Sequence, residues 1–123
     1  MRIALGMWLL AGLLAIAGPV AAKSVAADYD GRWSVLVVTD RGTCDHAYRY
    51  EVNIRNGRLH YLGKASVNLR GAVENDGAVK VSLRLGTKGA SGKGHLSKKA
   101  GAGTWHGFGG SSKCSGHWEA ERR

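Results

Sequence analysis

Apolar and polar positions alternate with a period of two along almost the whole chain from Gly31 onward. Trp33, Val35 and Val37 share one face of a first run. Tyr48, Tyr50, Val52 and Ile54 then alternate with Arg49, Glu51, Asn53 and Arg55, as expected of a strand with one face buried and the other in water. That run ends at Asn56-Gly57, a dipeptide suited to the two positive-φ positions of a type I′ hairpin turn. Pairing across the turn sets Arg55 opposite Arg58, Ile54 opposite Leu59 and Val52 opposite Tyr61. A slip of one residue would turn the apolar set outward, so the matched faces specify the register.

Further runs follow at Val67 to Glu74, Val79 to Leu85 and Ala90 to Ser97, then two more around Trp105 and Trp118. Turn signals at Asn75-Asp76-Gly77, Gly86 to Gly89 and Lys98 to Gly101 separate them. No helical period is present in this part of the chain. The expected fold is all-β: a small eight-stranded antiparallel up-and-down meander, closed or nearly closed into a barrel, with one disulfide.

The N-terminal segment has a different pattern. Arg2 precedes an uncharged apolar run from Ile3 to Ala17, a Gly18-Pro19 breaker and the small residues Val20-Ala21-Ala22. Residues 1–22 are therefore predicted to be a secretory signal, with Val25-Ala26-Ala27 allowing cleavage as late as residue 27. Residues 23–30 are expected to be a flexible leader and residues 31–123 a single barrel domain. This places the protein in the periplasm or outside the cell, with no membrane span in its mature form. In that setting Cys44 and Cys114 are expected to pair. They are assigned to the first and the last connection of the meander, which lie at one end of a barrel, so their bond would lock the seam where the barrel closes.

Glycine and tryptophan shape the expected interior. Gly31-Arg32-Trp33, Gly103-Thr104-Trp105 and Gly116-His117-Trp118 repeat one step, and glycines 63, 71, 92, 94, 103, 107 and 116 share the inward parity. Trp33, Trp105, Trp118, Tyr48, Tyr50 and Tyr61 are the predicted aromatic core, with the glycines making room for the rings. Trp105 is expected to face Trp118 across the last two strands, and Arg122 to cover Trp33 as a cation on a ring face. Such an interior is expected to be filled. A carrier would instead need a pocket of roughly 300 Å³ or more, opening at one end.

The Gly31-Trp33 step with Arg122 on the last strand resembles the lipocalin signature, and the short eight-stranded plan resembles avidins and secreted inhibitors of bacterial proteases. The segments "YDGRWSV", "RYEVNIRNG" and "CSGHWEAERR" are similar to small secreted proteins of proteobacteria. The resemblance implies a barrel and a place in the envelope, and carries no chemistry.

Charge narrows the classes of partner. Lys and Arg number 18 against 9 Asp and Glu, a net charge of +9, which loss of Arg2 with the signal lowers by one. An anionic envelope component or a protein partner fits this excess, although singly scattered cations are also what an ordinary solvated surface carries. Nucleic acid is disfavoured, because alternation sends nearly all aromatics inward, away from any stacking platform. His46, His106 and His117 are the candidate metal or haem ligands, on the expectation that His106 faces His117 near the disulfide. No acid pair, nucleophile elbow or phosphate loop is present, so no cofactor and no enzymatic activity are expected. The sequence thus points to a monomeric, non-enzymatic binding module of the envelope that uses its basic surface or rim loops, with inhibitor-like action as one form. The alternative is a carrier of a small molecule, haem or metal that uses the aromatic interior or the histidines.

Overall fold

A computed structural model describes residues 27–64 and 66–123, together with Gly12. Apart from Gly12, the expected signal, residues 1–22, and the first part of the leader lie outside the described residues. Eight strands run β1 Gly31–Arg41, β2 Ala47–Arg55, β3 Arg58–Tyr61, β4 Asn68–Val73, β5 Ala78–Leu85, β6 Lys88–Leu96, β7 Ala100–Gly109 and β8 Ser112–Arg122. Each pairs antiparallel with the next, and β1 also pairs with β8, so the sheet is a closed barrel. Closure removes the open edges that an eight-stranded sheet would otherwise present. The described residues contain no α-helix, and none of their helices is long and apolar enough to cross a membrane.

Local chemistry sets the turns. Asn56 and Gly57 adopt φ of 51° and 71°, and the β2–β3 register places Ile54 opposite Leu59 and Val52 opposite Tyr61, as the alternation requires. The Asp30 carboxylate accepts hydrogen bonds from the backbone N–H groups of Asn56, at 2.8 Å, and Gly57, at 2.9 Å. Asp30 thus joins the residues before β1 to the β2–β3 turn. Ala27–Tyr29 form a 3-10 turn, and the Tyr29 carbonyl accepts the Trp33 indole N–H at 2.8 Å.

Packing divides the barrel along its axis. Trp33, Val52, Ile54, Val73, Val79, Leu96, Trp118 and Ala120 form a buried cluster toward the end where the 3-10 turn sits. Arg122 seals that end: its guanidinium carbon is 5.6 Å from the Trp33 ring centroid, and its Nη1 donates to the carbonyls of Asp28 and Lys98, each at 3.0 Å. Its Nη2 donates to the Asp30 carbonyl. One side chain thus ties the leader, the β6–β7 turn and β8 together over an indole face, combining charge-assisted hydrogen bonds with a cation–π contact.

The disulfide joins Cys44 to Cys114, with Cα atoms 6.1 Å apart, at the opposite end. Cys44 lies in the β1–β2 connection as expected. Cys114 does not lie in a connection; it is the third residue of β8, because the β7–β8 turn is shorter than the sequence suggested. Gly109 pairs with Ser112, leaving only Gly110 and Ser111 in the turn, with Gly110 at φ of 60°. This two-residue turn shifts the pairing by two from the expected register: Trp105 faces Gly116, and Trp118 faces Gly103. Parity is preserved and the partners change. Each indole now lies over a glycine, which relieves the crowding that two facing indoles would create.

Candidate ligand cavity

The inward residues do not fill the barrel between its mouth and the cluster around Trp33. They enclose a cavity of about 640 Å³, within the range typical of small-molecule sites. Val35, Val37, Val81, Leu83, Ala90 and Gly92 contribute much of its apolar wall, and Thr43, Asp45, Tyr48, Lys88, Phe108 and Ser112 stand at its mouth. The packed cluster around Trp33 and the Arg122 cap make the other end blind.

The expectation of a filled interior fails for a geometric reason. Trp118 lies along the wall: a Cβ built on Gly103 would come within 2.5 Å of its Cε2, and one on Gly94 within 2.4 Å of its Cζ2. A Cβ on Gly116 would meet Trp105 Nε1 at 2.9 Å. The rings thus occupy the space the glycine side chains would have taken instead of reaching across the lumen. Trp105 Nε1 is held there by a 2.9 Å hydrogen bond to the Val38 carbonyl.

Tyr48 is the second departure. Parity places it in the core, but it lies one residue into β2 at the open end and is 51% exposed. Its hydroxyl donates to the Asp45 carboxylate, and this bond raises the phenol's pKa. Tyr50 and Tyr61 are half-buried. Ring centroids are 6.0 Å apart from Tyr48 to Tyr50 and 6.1 Å from Tyr50 to Tyr61, so the three tyrosines line one side of the cavity from its mouth inward. Burial, followed by the neighbouring Tyr61, raises the pKa of Tyr50 and keeps its hydroxyl neutral.

One buried polar group beside the cavity lacks a partner in the protein. Trp118 lines the cavity wall, and its Nε1 is buried with no hydrogen bond. Native structures leave few buried donors unpaired, and this one is closed off from the cavity space by the packing of the ring on Gly94 and Gly103. Parity identified Trp118 as inward, but only the two-residue turn defines its surroundings.

The three histidines are not brought together. His106 is exposed on β7 opposite Ser115, and His117 faces Thr104, so the expected His106–His117 pair is absent. The same shift of two residues is the cause. His117 Nδ1 instead meets the Asp40 carboxylate at 2.7 Å, and that hydrogen bond raises its pKa above the ordinary value despite partial desolvation. Asp40 reaches it from the irregularity between Thr39 and Arg41, where one extra β1 residue opposes β8. His46 is exposed in the β1–β2 connection, where its carbonyl accepts the Thr39 N–H at 2.9 Å. No group of three metal-ligating side chains occurs among the described residues, and no histidine lines the cavity. The arrangement therefore fits neither a three-ligand metal centre nor imidazole ligation of a haem in the lumen.

No family model, no curated protein and no solved structure matches the chain. The eight-stranded barrel is consistent with the fold-level resemblance to lipocalins and avidins and extends it no further.

Proposed function

We propose that the protein is a non-enzymatic carrier that holds an apolar small molecule in its barrel. The supporting observation is the cavity of about 640 Å³, blind at the Arg122 end and open at the disulfide end, with a largely aliphatic and aromatic wall. Burial of an apolar ligand against such a wall is favourable by about 25 cal/mol for each Å² removed from water. A disulfide is consistent with an oxidising location outside the cytoplasm, where apolar molecules need a carrier between membranes.

The test uses the neutral fluorophore N-phenyl-1-naphthylamine and alkyl competitors of graded length. The expected result is a saturable rise in fluorescence, reversed by competitors up to a limiting chain length. Val81→Phe, which places a ring in the lumen, is expected to weaken binding by about tenfold or more, equivalent to about 1.4 kcal/mol, without loss of the barrel's circular dichroism. Failure of the wild-type protein to bind the probe, or equal binding by a folded Val81→Phe variant, would overturn the proposal.

A second reading, contact with an anionic envelope component, is favoured by the net charge of +9 and by exposed cations on the outer wall: Arg70, Lys80, Arg84, Lys93 and Lys113.

A further inference from the structure

Four large apolar side chains are exposed among the described residues: Tyr48 at 51%, Phe108 at 44%, Leu62 at 41% and Leu85 at 39%. Tyr48, Leu85 and Phe108 lie at the mouth end of the barrel, and Leu62 lies lower, with its N–H bonded to the carbonyl of Glu51 in the middle of β2. Tyr48 is one residue into β2, Leu62 follows β3, Leu85 ends β5 and Phe108 is the penultimate residue of β7. In an up-and-down barrel these positions adjoin the alternate connections, and three of the four side chains line the cavity mouth. Scattered apolar exposure is ordinary, but a ring of it around an opening is not.

The cations at this end complete the pattern. Arg41, Lys64, Arg84, Lys88 and Lys113 surround the apolar ring from β1, the β3–β4 connection, β5, β6 and β8, and all are exposed. Phe108 lies between two of them, paired across strands with Lys113 and with the Arg84 guanidinium carbon 5.9 Å from its ring centroid. The carboxylates near the mouth, Asp40 and Asp45, are engaged with His117 and Tyr48. Asp28, Asp30, Glu74, Asp76 and Glu121 lie at the opposite end. The barrel therefore presents an apolar tip with a cationic collar at one pole and mixed charge at the other.

We propose that the mouth end docks on an anionic lipid bilayer, with Tyr48, Leu85 and Phe108 entering the headgroup region and the collar meeting lipid phosphates. This combination of a small apolar insertion with basic residues at the surface is what binds proteins reversibly to anionic membranes. An acidic protein face would complement the collar, but it would not account for apolar side chains projecting from the same rim. Docking in this orientation sets the cavity opening against the hydrocarbon, so cargo passes between bilayer and barrel without crossing bulk water. It goes beyond the carrier reading and does not require a loaded cavity.

The experiment is cosedimentation of the disulfide-bonded protein with vesicles of phosphatidylcholine mixed with phosphatidylglycerol, and with vesicles of phosphatidylcholine alone. Partitioning is expected only onto the anionic vesicles, weakening as salt rises. Each basic residue at the surface contributes about a fivefold factor in partitioning, so Lys64→Glu/Arg84→Glu/Lys113→Glu is expected to abolish it. Naphthylamine binding should persist, because none of these three lines the cavity. Phe108→Ser, which removes an exposed ring at the mouth, should weaken vesicle binding while the barrel's circular dichroism is kept. Lys98→Glu/Lys99→Glu at the closed end should leave vesicle binding intact. Equal binding to both vesicle types, no vesicle binding, or equal loss from the closed-end variant would overturn the proposal. Loss of naphthylamine binding by the wild-type protein alone would count against the carrier reading and not against docking.

Discussion

Trp118 lies on Gly103, its partner across β7 and β8, so closely that a Cβ on the glycine would stand 2.5 Å from the indole Cε2 and 2.1 Å from the Lys93 carbonyl oxygen. Real Cβ atoms do not make such contacts, and one of the close neighbours is backbone. Gly103→Ala should therefore displace the Trp118 ring or part the strands, costing about 1–3 kcal/mol as other overpacked sites do. Thermal melting should reveal it, at about 4–8 °C for each kcal/mol in a domain of this size. A variant that melts with the wild type would mean the wall yields more easily than its geometry indicates.

The Cys44–Cys114 bond closes a loop with a sequence separation of 70. On the chain-entropy account its loss favours the unfolded state by about 4 kcal/mol, a large share of the stability of a small domain. Cys44→Ser/Cys114→Ser should melt well below the wild type, and reduction of the wild type should reproduce the shift.

His117 is expected to titrate above an ordinary histidine, because its hydrogen bond to Asp40 favours the charged imidazolium. A pKa raised by folding gives stabilisation that is fully present below the unfolded value and is lost as pH rises through the folded one. The pair is exposed to solvent, so the effect on melting should be small. It is better read from the His117 ring proton shift by NMR. Asp40→Asn should bring the titration back toward the ordinary range, whereas an unchanged midpoint would assign the shift to another cause.

Arg122→Ala should loosen the blind end. It removes donors from the carbonyls of Asp28, Asp30 and Lys98 and uncovers the Trp33 face. Only the bond to Asp30 is partly buried and the other two are exposed, so a net loss of about 1–3 kcal/mol is expected. Faster hydrogen exchange at the Trp33 indole, whose partner is the Tyr29 carbonyl, would localise the loss to this cap.

Alternation alone was enough to read the barrel, because a period of two fixes which side chains face inward in every strand. The Asn56-Gly57 hairpin was legible down to its register, since the turn's backbone geometry and the Ile54–Leu59 match agree. The β7–β8 register was not. A two-residue turn at Gly110-Ser111 and one at Ser111-Ser112 keep the same parity but differ by two in register, and only packing of the indoles against Gly103 and Gly116 separates them. The expected histidine pair failed with that register. The cavity was also illegible, because parity gives a ring's side of the wall and not whether it lies along the wall or across the lumen. Tyr48 shows a further limit: an inward position at the last rung of a strand opens onto solvent.

The pairing of β1 with β8 has a consequence for the order of assembly. Every other neighbouring pair is joined by a connection of a few residues, whereas this one unites the two ends of the domain, and contacts between remote segments form slowly. Cys44 and Cys114 meet only once those ends have met. Oxidation should therefore be among the last events of maturation, and the intact bond would mark molecules that have completed their ring.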